Sequence, residues 1–224
     1  MNRPRSVSIA AAAVGFVAVV CDVARAEMPA TDDRFFVRLS PGAVYLHESW
    51  NPSGSSPGAV FSGAGPSLEL SIGKSIRPRL VVGGLWQLAA VFDPTESYLG
   101  STYVTPGTAR TLNVVAAFAD YYPNPRRGLH VGGSAGLLAA SNIDRACCLS
   151  THWGAALSVR IGYDIFLSRR WSVGAFAQLE AYRYSSSEAN VSSASYGLLP
   201  TLAVALTFDL GSRRSNGTKD PHPG

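Results

Sequence analysis

Charge is the scarcest ingredient of this chain. Asp, Glu, Lys and Arg make up 15% of its 224 residues, where soluble domains carry about 25%. Long hydrophobic runs are missing as well. Beyond residue 26 there is no stretch of eighteen apolar residues, which excludes spanning helices. Cysteine is confined to Cys21, Cys147 and Cys148. Two adjacent cysteines, with no CxxC spacing and no histidine cluster, do not assemble a zinc site. The four histidines, His47, His130, His152 and His222, are scattered. Gly63-Ala64-Gly65 and Gly132-Gly133-Ser134 have no helix behind them to receive a phosphate, so neither reads as a nucleotide loop. No metal and no cofactor is expected.

What is present begins with Arg3 and Arg5, followed by an apolar run from Val7 to Val20 that is too short to span. Ala24-Arg25-Ala26 fits the small-x-small cleavage pattern of a secretory signal peptide, with the cut after Ala26. Cys21 raises lipoprotein processing instead, but Val19-Val20 before it lack the small residues expected there. Removing residues 1–26 takes away Arg3, Arg5, Arg25 and Asp22, which leaves 16 basic and 14 acidic residues, a net charge of +2. The basic residues are scattered rather than clustered, so no nucleic-acid partner is expected. The expected organisation is a signal peptide at 1–26, a short segment at 27–33, one domain at 34–210, and a polar tail at 211–224. The tail holds Arg213, Arg214 and Lys219 and is expected to be disordered.

The domain alternates with a period of two, and successive strand side chains point to opposite faces. From His152 to Ile165 one face reads Trp153, Ala155, Leu157, Val159, Ile161, Tyr163 and Ile165. The other reads His152, Gly154, Ala156, Ser158, Arg160, Gly162 and Asp164. The same pattern runs through Trp171 to Tyr184, Leu198 to Leu210, Ala64 to Gly73, Leu80 to Phe92, and Leu129 to Leu138. Two weaker segments complete a count of eight. Phe35 to Leu46 places Arg38, Ser40 and Gly42 on its polar face. Arg110 to Tyr121 groups Leu112, Val114, Ala116 and Phe118 as its apolar face.

The second face decides the architecture. A soluble sandwich would wet that face with Lys, Glu and Thr. Here it is mostly Gly, Ala and Ser with single charges, which suits the crowded interior of a narrow barrel. A lone interior charge is costly unless paired. Arg38, Glu69, Gln87, Arg160, Gln178 and Glu180 are therefore expected to form an internal polar network, with Asp164 either in it or at the rim. The connections alternate in length. Gly73 to Pro78, Tyr122 to Arg127 and Ser168 to Arg170 are short. His47 to Gly58, Asp93 to Thr108, Ser141 to Thr151 and Ser185 to Ser195 are longer and polar. Short turns on one side and long loops on the other are the habit of outer-membrane barrels. Phe35, Tyr45, Phe92, Trp153, Tyr163, Trp171, Tyr182 and Phe208 are expected in aromatic belts at the two interfaces. The fold class is therefore all-β: a closed antiparallel up-and-down transmembrane barrel of about eight strands.

On this pattern residues 34–210 resemble the small outer-membrane β-barrel family, the OmpA-like and OmpX-like eight-stranded proteins. The resemblance implies the outer membrane of a Gram-negative bacterium, both termini in the periplasm, and lipid around the wall. It also implies delivery by the barrel-assembly machinery, which reads a last alternating strand ending in an aromatic. Gly197 to Phe208 has that form. Some such barrels modify lipid A, and the deacylase type carries a His-x-Ser pair on a strand. Gly132 and Gly154 stand two residues after His130 and His152, so the pair is absent. His130, Ser134 and Glu180 fall on strands not expected to be neighbours, and no catalytic set is expected. Cys147 and Cys148 sit in a long polar connection, where a vicinal disulfide, pairing with another chain or free thiols are all open. The expected role is structural or surface interaction through the long loops. The alternative is a narrow pore or transporter for small or hydrophobic solutes, for which the inner glycines would leave space.

Overall fold

Alternating side chains need two environments, and a closed sheet supplies them without leaving an unpaired edge in the wall. The computed structural model describes residues 35–52, 58–77, 79–124, 127–143, 149–168, 170–188 and 191–210. Its strands are β1 (Phe35–Pro52), β2 (Ala59–Arg77), β3 (Leu80–Phe92), β4 (Thr95–Tyr98), β5 (Ser101–Val104), β6 (Ala109–Tyr121), β7 (Leu129–Ile143), β8 (Leu149–Phe166), β9 (Trp171–Glu188) and β10 (Val191–Asp209). Each long strand pairs antiparallel with the next, and β1 pairs with both β2 and β10. The eight long strands close into a barrel. The pair β4 and β5 is a hairpin that continues the ladder of β2 beyond β3. Its two-residue turn places Leu99 at φ 51° and Gly100 at φ 79°, as a type I′ turn requires.

Register fixes the stagger. Ser40 pairs with Glu69, Glu69 with Gln87, Gln87 with Val114, and Val114 with Leu138. Leu138 pairs with Gly154, Gly154 with Tyr184, Tyr184 with Ser195, and Ser195 with Trp50. One circuit thus returns to β1 ten residues from its start. With eight strands this stagger tilts them about 40° from the barrel axis.

The wall faces as its sequence alternates. Trp153, Leu157, Val159, Ile161, Leu179, Leu202, Val204 and Leu206 point outward and are exposed, while Arg38, Glu69, Gln87, Arg160, Gln178 and Glu180 point inward and are buried. Two assignments are corrected. Leu112, Val114, Ala116 and Phe118 line the interior, and Val115 and Tyr121 face out. Both faces of β6 are apolar, so alternation there gives the period without the side. Tyr182 belongs to no belt: it is 4% exposed and inside. Phe35, Tyr45, Phe92, Trp153, Tyr163 and Trp171 are exposed on the outer face.

The connections are shorter than their composition suggests. β1 continues to Pro52, β2 to Arg77, β9 to Glu188, and β10 begins at Val191. Polar residues read as loops thus extend strands to 18 or 19 residues, beyond the 9–11 or so needed to span a bilayer. Residues 1–26, 27–33 and 211–224 lie outside the described residues, as do Cys147 and Cys148.

The seam between β1 and β10 is interrupted twice. The ladder between β1 and β10 skips Ser40–Ala205 and Pro41–Val204, then Tyr45–Pro200 and Leu46–Leu199. The ladders β3–β6, β6–β7, β7–β8, β8–β9 and β9–β10 run without such gaps. Proline has no N–H to give, and Pro41 and Pro200 stand one in each gap.

Candidate functional site

The interior is the only place where this chain concentrates polar chemistry among the described residues, and it is arranged in three layers. At the end bearing the short turns, Arg38 reaches across from β1. Its Nη1 donates to Asp120 Oδ2 (3.3 Å), its Nη2 to the Tyr122 hydroxyl (3.2 Å) and to Asp164 Oδ2 (3.4 Å), and its Nε to Thr207 Oγ1 (3.2 Å). The Tyr122 hydroxyl donates to Asp164 Oδ2 at 2.8 Å. His130 Nδ1 lies 3.4 Å from the same oxygen. Arg160, on β8, places Nη1 3.0 Å from Glu69 Oε1 and Nε 3.1 Å from Asp120 Oδ1. Its guanidinium lies between Phe118 and Phe176, with ring centroids at 5.0 and 5.7 Å. Next along the barrel, Gln178 Nε2 donates to Gln87 Oε1 at 3.0 Å, and Ser134 and Ser158 share a hydrogen bond of 2.7 Å.

Above these groups the lumen is apolar. Leu46, Leu112, Leu138 and Leu199 come from four strands, and each is at most 2% exposed. They join Val44, Val91 and Val114 in one cluster. The third layer follows directly, because Glu48 stands two residues beyond Leu46 and Arg110 two before Leu112. Glu48 accepts from Arg110 and from the hydroxyls of Tyr182 (2.8 Å) and Tyr184 (2.6 Å). Arg110 also donates to Asn142 and to the Tyr184 hydroxyl, and it lies over the Phe61 ring. His152 stacks on Tyr184 with ring centroids 5.7 Å apart.

The inner glycines do not leave open space. A Cβ at Gly132 would stand 2.0 Å from Asp120 Oδ1, at Gly174 2.2 Å from Asp164 Oδ1, at Gly162 2.5 Å from His130 Nε2, and at Gly197 2.1 Å from the Tyr182 ring. Each glycine is the seat of a large side chain from the adjoining strand. The room the sequence suggested is already occupied.

The structure joins Arg160 to Glu69 and Gln87 to Gln178. It gives Arg38 to Asp120 and Asp164 rather than to Glu69 or Glu180. Asp164 is buried in the network and not solvated at the rim. Glu180 stands apart: it is 1% exposed and its Oε1 has no hydrogen-bond partner. Sequence reasoning missed Glu48, Arg110, Asp120, Tyr122, Tyr182 and Tyr184. The signal for Glu48 was there, since it continues the inner series Arg38, Ser40, Gly42, Val44, Leu46. The polar run that starts at His47 nevertheless has the composition of a loop. His130, Ser134 and Glu180 are not brought together: His130 contacts Asp164, Tyr122 and Gly128, while Ser134 contacts Ser158.

No family model matches the chain, and no curated protein matches it in sequence. Solved structures do match in shape. Neisserial surface protein A is 16% identical, with 78% of this chain and 96% of that chain aligned at a TM-score of 0.50. The outer membrane protein OprG from Pseudomonas aeruginosa is 12% identical, with 82% of this chain and 99% of that chain aligned at a TM-score of 0.53. At these identities the likeness is one of fold: an all-β, closed, eight-stranded antiparallel barrel.

Proposed function

We propose that this chain is an outer-membrane protein whose filled barrel anchors extended strands at the cell surface, in a structural or surface-interaction role. The observation that carries this reading is the lumen. Ion pairs tie opposite walls at both ends, and a collar of buried leucines lies between them, so the barrel is built as a plug. The exterior supports a lipid location. Trp153, Leu157, Val159 and Ile161 are 54–69% exposed on one strand, and water would not favour so continuous an apolar wall. Outer-membrane lipid and, during biogenesis, the barrel-assembly machinery are the partners this reading implies. It places both termini in the periplasm and the β4–β5 hairpin outside.

The interrupted seam between β1 and β10 favours a second reading, passage of small apolar solutes. Its second gap includes Leu46 and Leu199, so the ladder is incomplete where the collar lies against the wall.

A gel-shift test separates membrane barrel from soluble protein. The refolded chain, loaded unboiled, should run as a compact band that slows on boiling, and only when folded in detergent or lipid. Equal folding in plain buffer would overturn the proposal. Planar-bilayer recording and uptake of an apolar dye into vesicles then test the plug. Silence in both supports the anchor, whereas uptake that Pro200→Ala slows supports the seam.

A further inference from the structure

Scattered along the sequence, many of the basic residues are gathered by the fold. The three short turns join β2 to β3, β6 to β7 and β8 to β9, and strand direction places all three at one end of the barrel. Each carries two arginines: Arg77 and Arg79, Arg126 and Arg127, Arg169 and Arg170. None carries a carboxylate. Arg126 and Arg169 lie outside the described residues, and Arg77, Arg79, Arg127 and Arg170 are exposed. The fourth junction of this rim, where β10 ends beside the start of β1, carries Asp209. The opposite end reverses the sign. From Asp93 to Thr108, Ser141 to Thr151 and Ser185 to Ser195 it holds Asp93, Glu96, Asp144 and Glu188 against Arg145.

The four described arginines are held by their backbones. Arg79 O accepts from Tyr122 N (2.8 Å), and Arg127 N donates to Asn124 O (3.0 Å). Arg77 O accepts from Ser75 Oγ at 2.9 Å, and Arg170 N donates to Ser168 Oγ at 3.2 Å. The guanidinium groups therefore extend from fixed points, and an anion that binds them has only side chains to order. Apolar wall begins at once beside them. Ile76 precedes Arg77, Trp171 follows Arg170, and Leu129 stands two residues after Arg127, each of them exposed. At about 3.4 Å per strand residue, cation and wall lie within about 7 Å of each other along the chain. Lys74 shows the two in contact, with its Nζ 5.3 Å from the ring centroid of the exposed Phe35.

We propose that this basic rim docks the headgroups of anionic phospholipids in the leaflet that surrounds it. The inference rests on the membrane reading above, and names the lipid class that reading leaves open. A guanidinium meets phosphate oxygens through paired N–H donors. A lipid brings its phosphate and its acyl chains together, as the rim brings arginine and apolar wall together. A soluble acidic partner would meet the charges alone. A zwitterionic headgroup returns an ammonium beside the same arginines, so a net-negative phosphodiester such as phosphatidylglycerol is favoured. Each basic group at an anionic surface is worth about five-fold in occupancy. The headgroups would hold the barrel at one depth and, since its other end is acidic, in one sense across the bilayer.

The test folds the full chain into phosphatidylcholine vesicles that carry a trace of spin-labelled phosphatidylglycerol or of spin-labelled phosphatidylcholine. Electron spin resonance then compares how much of each label the protein immobilises. Wild type should immobilise phosphatidylglycerol several-fold more than phosphatidylcholine, and added salt should narrow the difference. In the variant combining Arg77→Gln, Arg79→Gln, Arg127→Gln and Arg170→Gln the two labels should be immobilised equally. Should that variant fail to fold, Arg127→Gln with Arg170→Gln should reduce the preference. Glu96→Gln, at the other end, also changes net charge and should keep the wild-type preference. The boiling shift is run on every preparation. Wild type without a compact band in vesicles refutes the membrane reading itself. A compact band with no lipid preference overturns the headgroup proposal alone, and so does a preference that the combined variant retains. Retention of wild type on washed cell-wall sacculi without a lipid preference overturns it too, and assigns the rim to acidic wall peptides.

Discussion

Glu48 on β1 and Arg110 on β6 meet across the lumen, although β2 and β3 stand between their strands in the wall. The pair is buried, with side chains 0% and 7% exposed, so each partner is needed by the other. Glu48→Ala should destabilise the barrel by about 3–5 kcal/mol, because it leaves Arg110 buried without its charge partner. Replacing both, as Glu48→Gln with Arg110→Met, should cost less than the sum of the single changes. Urea unfolding of the barrel in lipid vesicles, run as a double-mutant cycle, measures the difference. Strict additivity would show that the pair does not hold.

Facing is tested at neighbouring positions on β8. Leu157 is 62% exposed on the outer wall and Ala156 is 7% exposed inside. Leu157→Arg should cost about 2–4 kcal/mol in lipid, whereas Ala156→Ser should be mild. Equal folding yields for the two variants in vesicles would contradict the assignment of faces.

The occupied glycines give a third expectation. A methyl group at Gly162 would lie 2.5 Å from His130 Nε2 and 2.8 Å from Phe176 Cβ, while one at Gly84 meets nothing closer than 3.9 Å. Gly162→Ala should therefore cost about 1–3 kcal/mol through overpacking. Gly84→Ala should be neutral or stabilise by about 0.5–1 kcal/mol, since glycine is a weak strand former. Boiling-shift midpoints of the two variants rank them, and the reverse order would mean that the inner glycines face open space.

Pro200 stands in the second gap of the β1–β10 ladder. Pro200→Ala restores an N–H and should stabilise the seam by about 0.5–1.5 kcal/mol, the net worth of one hydrogen bond. Slower unfolding of the variant in detergent would register the gain. An unchanged rate would mean that the gap is held open by something other than proline.

Leu99 pays for its turn in backbone strain, at φ 51° on the β4–β5 hairpin. Asn tolerates that region far better. Leu99→Asn should increase the hydrogen-exchange protection of Thr95 to Val104 and leave the eight-stranded wall unaffected.

The barrel was legible because its outer wall is written in one alphabet. Leu157, Val159 and Ile161 alternate with Ser158 and Arg160, and a period of two with small residues on the second face has few other solutions. On β6 the same reasoning gave the period but the wrong side, since Leu112 and Val115 are equally apolar and only closure tells them apart. Element ends were least legible. His47 to Pro52 and Ser185 to Glu188 are polar because they rise out of the apolar band, not because they stop being strand. That error hid Glu48, and with it the pair it forms with Arg110. The pairing within the interior was not legible at all. Arg38 meets Asp120 rather than Glu69 through the stagger of strands far apart in the chain, which no local pattern encodes.

The ten-residue stagger limits how such a chain can change its length over generations. Losing one residue from the middle of a long strand would turn every side chain beyond that point inside out. It would also shift the ladders on both flanks. A net change of two keeps the facing yet moves Glu48 away from Arg110, or Arg38 away from Asp120. Insertions and deletions are therefore tolerable chiefly at the rims. The rims can diversify in length and composition while the wall and its buried pairs stay locked to one register, and descendants of this chain should differ most at the two ends of the barrel.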